Sequence, residues 1–275
     1  MQAPGKRRHK GDAMKGLRLT VVNAGPLNPD KNKLVAFAPG KVEVPTTVGI
    51  IEHPKHGLIL WDTGINHAVA DPDRRDAYWG AGIPDAFGTA GFTRAHAIDA
   101  QLERLGHKTS DVRYVVYSHL HLDHAGGMGY FPHAVHVMQR DEIRYALWPD
   151  AWTRPVYCQN DFAAIRSLDI VEIEGDFDLF ADGSMRLVRT PGHTPAHQAL
   201  ILDLAQRGPV CLGADVGHQR DGYEAMVPMP WDWSTAAMSM TRNRMRQLER
   251  SGVPVFLCHD AGDFAQLPTD GAIWD

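Results

Sequence analysis

The stretch SHLHLDHAGG, residues 118–127, concentrates side chains that bind metal ions. Three histidines and one aspartate lie within it: His119, His121, Asp123 and His124. His119 and His121 are two positions apart, so in an extended segment their side chains point the same way and can converge on one ion. Imidazole and carboxylate together suit zinc, iron or manganese. A histidine-rich surface turn is the alternative, but four such side chains directly after an apolar run favour a metal site.

Three later predicted strands each end beside one further side chain of the same kind. These side chains are His193, Asp215 and His259. Polar residues at the ends of buried strands are where α/β proteins gather their functional sites. Asp215 is the natural bridge between two ions, because a carboxylate has two oxygens. The sequence therefore predicts one metal site assembled from several strand ends.

Two neighbouring residues are rival ligands. His197 follows His193 closely, but a hydrogen-bonded packing residue at the start of a strand is the simpler interpretation. Cys258 adjoins His259 and could be a soft ligand, whereas a buried thiol on the other face of the strand is favoured. Both alternatives stay open at this point.

The elements that must position these residues alternate along the chain. Strands are predicted at residues 17–23, 44–52, 58–62, 112–117, 134–138, 168–173, 185–190, 198–203, 209–214 and 253–258. Helices are predicted at residues 95–105, 140–148, 162–168 and 235–250. Residues 65–95 and 217–233 are predicted to be long loops with many apolar side chains. Interleaved strands and helices predict an α/β or α+β fold in which helices cover the sheets.

Composition limits the partners of the chain. It has 275 residues, 44% of them hydrophobic, and a formal net charge of −5, which argues against nucleic acid as the main partner. We expect residues 1–15 to be a disordered tail, with a basic targeting or nucleic-acid patch as the alternative, and residues 16–275 to form one domain. No apolar run is long enough to span a membrane, and no secretory signal is visible. Sparse cysteines favour a reducing, cytoplasmic location.

In order and approximate spacing, the candidate ligands resemble those of the metallo-β-lactamase superfamily. The resemblance implies an αββα sandwich with a dinuclear metal site at one edge. It implies one ion held by His119, His121 and His193. It implies a second ion held by Asp123, His124 and His259, with Asp215 as the bridge. Asp62, in the segment Asp62-Thr63-Gly64, matches an early turn of the family and would orient a ligand histidine from outside.

Within the superfamily the chain is most similar to the N-acyl homoserine lactonases. The similarity lies in SHLHLDHAGG, in the run TPGHTPAHQ at residues 190–198 and in the segment LWDTG at residues 60–64. It implies a quorum-quenching hydrolase of carboxylic ester bonds that opens the lactone ring with a hydroxide bridging two divalent ions. Zinc is the expected metal, with iron, manganese or cobalt as alternatives. Asp123 would pass a proton to the leaving alkoxide.

One position departs from the lactonase pattern. The family usually has a tyrosine three residues after the bridging aspartate, and this chain has His218 there. An imidazole can still donate a hydrogen bond to an oxyanion, so His218 is predicted to be catalytic.

A lactone with an acyl chain also needs an apolar pocket. The candidates for its walls are Tyr78, Trp79, Ile83, Phe87, Trp148, Trp152, Met226, Met229, Trp231 and Trp233. Plain core packing is the alternative for each of them. Residues 65–95 could instead hold a homodimer together.

Other functions stay open beside the lactonase. A thioester hydrolase of the glyoxalase II type would use the same ligands, although no basic cluster that could bind glutathione lies near the C-terminus. A β-lactamase would use other residues at Asp215 and His124, and a nuclease would need a basic groove. A diiron oxygen reductase domain would replace His121 with glutamate.

Overall fold

The structure is a computed structural model that describes residues 16–275, so the predicted tail at residues 1–15 lies outside the described part. Its first sheet consists of β1 (Arg18–Asn23), β2 (Thr47–His53), β3 (Gly57–Trp61), β4 (Val112–Val116), β5 (Val135–Gln139) and β6 (Asp169–Ile173), in that spatial order. The first three strands pair antiparallel, and the pairs from β3 to β6 are parallel.

The second sheet consists of β7 (Phe177–Asp178), β8 (Met185–Arg189), β9 (Gln198–Leu204), β10 (Gly208–Ala214) and β11 (Val255–Leu257). Their spatial order is β11-β10-β9-β8-β7, and the pair β10–β11 is parallel while the other pairs are antiparallel. The helices are α1 (Arg75–Trp79), α2 (Ile83–Phe87), α3 (Ile98–Arg104), α4 (Arg140–Leu147), α5 (Arg220–Glu224), α6 (Thr235–Arg250) and α7 (Ala261–Phe264).

The two sheets pack face to face and helices cover their outer faces. Leu19 and Ile59 of the first sheet share one buried cluster with Leu200 and Leu212 of the second. On the outer side of the first sheet, helix α3 packs within another cluster. On the outer side of the second sheet, Met245 of α6 belongs to a third. The predicted αββα sandwich is therefore confirmed, whereas a single domain spanning residues 16–275 stays a prediction.

Several local elements differ from the sequence predictions. The helix predicted at residues 162–168 is a single 3-10 turn, Ile165–Ser167, and the buried side chains of this segment include Phe162 and Ile165. The loop predicted at residues 65–95 contains α1 and α2, each five residues long and followed by a glycine with positive φ. Helices this short leave no periodic apolar pattern to detect. Within the described residues, none of the helices has the length and apolarity needed to cross a bilayer.

Candidate metal centre

The candidate ligands converge at one edge of the sandwich, where strands of both sheets end. The segment with His119, His121, Asp123 and His124 follows β4 in the first sheet. The remaining candidates follow strands of the second sheet: His193 after β8, Asp215 after β10 and His259 after β11. All seven side chains are buried. The strand ends thus bring together residues that lie far apart in the sequence.

The carboxylate of Asp215 lies between two groups of imidazoles. Its Oδ2 lies 3.3 Å from His193 Nε2 and 3.8 Å from His119 Nε2. Its Oδ1 lies 3.5 Å from His124 Nε2 and 3.4 Å from His259 Nε2. Nitrogen ligands of one tetrahedral zinc ion lie roughly 3.4 Å apart, given a bond length of about 2.1 Å. Each oxygen of Asp215 therefore sits at ligand spacing from its own pair of histidines.

His121 and Asp123 complete the two groups. His121 turns Nδ1 towards His193 Nε2, at 3.0 Å, and so joins the side of Oδ2. Asp123 Oδ2 lies 3.4 Å from His259 Nε2, and its Oδ1 lies 3.9 Å from His124 Nε2. Asp123 thus lies on the side of Oδ1, and the role of these side chains as metal ligands stays a prediction.

Several atoms that face the centre have no hydrogen-bond partner among the described residues. They are the Nε2 atoms of His119 and His124 and the Oδ1 atom of Asp215. Buried polar atoms almost always have a partner, because an unsatisfied one loses its hydration without replacement. A divalent cation would satisfy these lone pairs at once. The residues present therefore fit a metal ion.

On the first sheet's side, Asp62 and Ser118 set the orientation of two rings. Asp62 Oδ2 lies 2.9 Å from His124 Nδ1 and also accepts the Ser118 hydroxyl at 2.7 Å. Since the hydroxyl proton is used there, Ser118 Oγ can only accept from His119 Nδ1, at 2.9 Å. Both rings then carry their proton on Nδ1 and present the lone pair of Nε2 to the centre.

Asp232 and Pro45 set the orientation of the two rings that follow strands of the second sheet. His193 Nδ1 lies 3.4 Å from Asp232 Oδ1, and His259 Nδ1 lies 2.8 Å from the Pro45 carbonyl oxygen. Asp232 was not predicted, because it stands in a loop between two tryptophans and follows no strand. Its burial and its hydrogen bond from Met229 N–H at 3.1 Å show that it is held in place.

Glu142 links the loop that carries His119 and His121 to the loop that carries His193. It is a fully buried carboxylate on α4. Oε1 accepts the Leu120 N–H at 3.0 Å, and Oε2 accepts the Thr194 hydroxyl at 2.5 Å. Leu120 lies between His119 and His121, so this carboxylate links their loop to the loop of His193. Sequence reasoning missed Glu142, and the only available signal was its helix face, shared with the buried Ala146.

Two residues beside the centre adopt a left-handed backbone. Asp62 has φ 61° and Ala214 has φ 47°. At Ala214 the register between β10 and β11 shifts, directly before Asp215. Left-handed backbone costs an L-residue about 1–2 kcal/mol, and aspartate tolerates it better than alanine. Strain of this kind persists where the surrounding structure requires it.

Charge states differ between the ligands: against the effect of burial, nearby acidic groups raise the pKa of His124 and His259 well above the usual value and that of His193 to about 9. Burial, followed by the neighbouring His124, lowers the pKa of His119 well below its usual value. Burial and His193 do the same to the pKa of His121. Burial alone would raise the pKa of Asp215, but His259 and His124 hold it well below the usual range. Neutral imidazole and ionised carboxylate are the forms that bind a metal.

His197 and Cys258 lie beside the centre with partners of their own. His197 Nδ1 lies 2.8 Å from Thr190 Oγ1, and its Nε2 accepts the Asp215 N–H at 3.1 Å, so both ring nitrogens are used. Burial lowers the pKa of His197 to about 3, which keeps the ring neutral. Cys258 Sγ accepts the Thr47 N–H at 3.2 Å, although the thiol also lies near His259.

His218 lies against the bridging carboxylate. Its Nε2 is 3.1 Å from Asp215 Oδ2, and its Nδ1 is 3.3 Å from the Leu34 carbonyl oxygen. The predicted hydrogen bond from His218 to an oxyanion stays a prediction, since both ring nitrogens face protein oxygens in this arrangement.

The space above the centre is small and mostly apolar. It measures about 30 Å³, roughly the volume that one water molecule occupies in the liquid. Its apolar walls are Leu27, Leu34, Val44, Phe87, Val156 and Trp231. Phe87 and Trp231 were predicted as wall residues, and their rings stack with centroids 6.5 Å apart. The other four came from loops or strand ends without an aromatic cluster to mark them.

The remaining predicted wall residues do not line this space: Tyr78, Trp79, Ile83, Trp148, Trp152, Met226, Met229 and Trp233. Trp79 and Met229 are buried in packing, and Ile83 packs against the core. Trp148 is 85% exposed at the end of α4, where it lines a separate surface pocket of about 430 Å³. An apolar side chain in a loop can face the core, the solvent or the site, and composition does not distinguish these cases.

Comparison with known proteins agrees with the fold. A family model described as the metallo-beta-lactamase superfamily matches residues 42–251. The chain is 34% identical over 222 residues to the N-acyl homoserine lactonase AttM of Azorhizobium caulinodans, which covers 79% of this chain and 82% of that one. It is 35% identical over 229 residues to AttM of Agrobacterium fabrum, with 82% and 85% covered.

A solved structure extends the comparison to three dimensions. It is an N-acyl homoserine lactone hydrolase with the product N-hexanoyl-L-homoserine bound at the catalytic metal center. The two chains superimpose with a TM-score of 0.80 at 26% identity, over 94% of this chain and 98% of the other. The similarity therefore extends over nearly the whole described structure.

Proposed function

This chain belongs to the metallo-beta-lactamase superfamily, and from that premise we propose that it opens the lactone ring of N-acyl homoserine lactones at a centre of two divalent metal ions. It is a hydrolase of carboxylic ester bonds, as its relatives are. The finer statement is supported by the lactonases to which the chain is 34–35% identical over about four-fifths of its length. Ring opening of such a lactone would remove a bacterial quorum signal.

The position of Asp215 is the observation that carries the dinuclear proposal. One oxygen faces His119 and His193 and the other faces His124 and His259, each at 3.3–3.8 Å. When bound, divalent ions supply Lewis acidity for the ester carbonyl and lower the pKa of a coordinated water towards about 7. We propose zinc, because histidine and carboxylate ligands suit it, while iron, manganese and cobalt fit the same donors.

Asp123 is the chain's own candidate for proton transfer. Its carboxylate lines the small space above the centre. Oδ2 lies 3.4 Å from His259 Nε2, whereas Oδ1 lies 3.9 Å from His124 Nε2. Oδ1 is therefore the oxygen with the more distant imidazole. Asp123 Oδ1 can hold a proton and deliver it to the alkoxide that leaves when the ring opens, because that alkoxide forms within reach of the same space.

The pocket walls exclude water and bind the acyl chain. Phe87 and Trp231 close the space above the centre, and Leu34 and Val44 extend its apolar lining. A lactone bound above the centre would lie against these side chains. Exclusion of water strengthens the interactions of the charged groups beneath. Cytoplasmic location and a homodimer stay predictions.

A substrate panel on purified protein of known metal content tests the proposal. Acid release is followed by pH-stat titration with long-chain and short-chain acyl homoserine lactones, a glutathione thioester and a β-lactam. We expect turnover of the lactones to exceed that of the other two classes. A protein that holds two equivalents of metal yet releases acid from the thioester alone would be a thioester hydrolase of the glyoxalase II type.

A further inference from the structure

We propose that His218 is an additional ligand of the metal ion held by His119, His121 and His193. The inference rests on the proposed metal centre and adds a ligand to it. It also changes the role expected for His218, because a nitrogen bound to metal is not available to donate a hydrogen bond to substrate.

The orientation of the ring is the first argument. Four candidate ligands turn Nδ1 towards a protein oxygen and Nε2 towards Asp215: His119, His124, His193 and His259. His218 is oriented in the same way, with Nδ1 3.3 Å from the Leu34 carbonyl oxygen and Nε2 3.1 Å from Asp215 Oδ2. A hydrogen bond at one nitrogen of a metal-binding histidine is what directs the lone pair of the other towards the metal.

The count of protons is the second argument. A neutral imidazole has one N–H, and both the Leu34 carbonyl and the ionised Asp215 carboxylate can only accept. Without an ion, the proton of a neutral ring can lie on Nε2 and be donated to Asp215 Oδ2. With an ion shared by Nε2 and Asp215 Oδ2, the proton lies on Nδ1 and is donated to the Leu34 carbonyl oxygen, so one proton and one ion satisfy both positions.

His197 shows what a buried histidine beside this centre looks like when it is not a ligand. Its Nε2 accepts the backbone N–H of Asp215 at 3.1 Å, so the lone pair is already occupied. No backbone N–H reaches His218 Nε2 among the described hydrogen bonds, whose partner there is Asp215 Oδ2. His197 therefore meets the backbone N–H donor of Asp215, whereas His218 meets a carboxylate oxygen of the same residue.

The spacing of the ligand atoms is the third argument. His193, Asp215 and His218 each offer one atom, and these atoms lie within 4.8 Å of one another. His193 Nε2 and His218 Nε2 approach the same oxygen of Asp215, at 3.3 Å and 3.1 Å. His193 and Asp215 thus connect His218 to the Oδ2 side, where His119 and His121 form a separate group with His193.

The chain after β10 is shaped to bring His218 back over Asp215. Only Val216 and Gly217 separate the two residues. A Cβ atom at Gly217 would lie 2.8 Å from the Cβ atom of Tyr223, so the turn packs against α5 and excludes a larger residue. His218 itself is 5% exposed. A side chain held this tightly has little freedom to turn away from the ion.

A fifth protein ligand would make the two ions unequal. The ion on the Oδ2 side would have His119, His121, His193, His218 and Asp215. That number exceeds the four ligands of tetrahedral zinc and suits metals that accept five or six ligands. The ion on the Oδ1 side would keep fewer protein ligands and more positions for water or substrate.

Nuclear magnetic resonance of the full chain tests this without substrate. The protein is loaded with an NMR-active cadmium isotope and labelled with nitrogen isotope in its histidines. We expect scalar coupling between cadmium and His218 Nε2, as for the other ligand histidines, and none for His197. A proton on His218 Nε2 with no coupling to cadmium, while His119 and His193 are coupled, would overturn the proposal.

A pair of variants gives a second measurement. In the cobalt-substituted protein, His218→Gln should change the visible absorption, because fewer ligands around cobalt give stronger bands, and should weaken retention of one metal equivalent at least about tenfold. His197→Gln, the matched control, keeps an acceptor for the Asp215 N–H and should leave the absorption unchanged. Identical spectra for wild type and His218→Gln would contradict the inference.

The outcome is separate from that of the proposed function. Coupling of cadmium to His218 in a protein that hydrolyses no lactone would remove the proposed substrate and leave the ligand in place. Turnover of lactones without that coupling would remove His218 as a ligand and leave the proposed substrate in place.

Discussion

In the metal centre, four histidines turn Nδ1 towards a protein oxygen and Nε2 towards Asp215, whereas on the pocket wall Phe87 and Trp231 meet through their ring faces, 6.5 Å apart. The first region is held by hydrogen bonds whose direction is specific. The second is held by apolar contact, which is worth about 1 kcal/mol for a stacked pair and tolerates sliding. Residues that must hold an ion are therefore fixed twice, by the strand they follow and by a partner behind the ring.

The comparison implies that changes in the centre affect metal and rate together, while changes in the wall affect the choice of substrate. The following predictions test that division.

Replacement of the bridging carboxylate should have the largest effect. In Asp215→Asn, one charged oxygen becomes an uncharged amide, so both groups of histidines lose their shared partner. We expect loss of metal and a fall in kcat/KM on the order of a thousandfold, which corresponds to several kcal/mol. Elemental analysis and lactone hydrolysis measure the two effects. Asp203→Asn, at an exposed position on β9, is the control. Full activity with one bound ion would refute the dinuclear mechanism.

Removal of a carboxylate behind a ligand should have a smaller effect. In Asp232→Ala, His193 loses the oxygen 3.4 Å from Nδ1 and can rotate or change its protonated nitrogen. We expect metal affinity to fall about 10- to 100-fold. Competition with a chromogenic chelator measures this affinity. If Asp232→Ala binds metal as tightly as wild type, the orientation of His193 depends on its loop alone.

Glu142→Gln should affect stability and metal affinity together, because it weakens the link between two ligand loops. The amide N–H₂ group would face the Leu120 N–H or the Thr194 hydroxyl, and one buried donor would lose its partner. We expect a loss of about 1–3 kcal/mol in the free energy of unfolding and about tenfold in metal affinity. Urea unfolding with and without metal separates the two. Thr194→Val removes only one of the hydrogen bonds and should cost about 1 kcal/mol.

A wall residue should change substrate preference and leave metal content intact. Trp231→Ala removes apolar surface above the centre, so we expect KM for long-chain lactones to rise roughly tenfold and KM for short-chain ones to rise less. Trp148→Ala, at the exposed tryptophan outside this space, should change neither constant by more than about twofold. An equal loss for both chain lengths in Trp231→Ala would mean that the ring supports the centre itself.

The same division separates what the sequence could predict from what it could not. His193, Asp215 and His259 were predictable because each follows an apolar run, and parallel or adjacent strands end at a common edge. Asp232 and Glu142 act from a loop and from a helix whose pattern is that of an ordinary surface helix. Nothing local distinguishes them from exposed carboxylates, since their role depends on which loop packs above them.

The residues of the pocket wall were also only partly predictable from the sequence. Of the aromatic residues predicted to form the wall, Phe87 and Trp231 reach the space above the centre, whereas Trp148 at the end of α4 faces solvent. The direction of a loop side chain follows from tertiary packing, which leaves no periodic signal. Short helices such as α1 escaped prediction for the related reason that one turn is too short for a repeat.

The left-handed backbone at Asp62 and Ala214 links the lifetime of the chain to its metal supply. Strain at two positions lowers the stability of the closed edge by about 1–2 kcal/mol for each residue, and an open edge is the form that proteases attack. A bound ion stabilises the closed form in proportion to the logarithm of its free concentration. When metal is scarce, the chain would therefore be degraded faster as well as being less active, so that cells would retain it mainly where it can work.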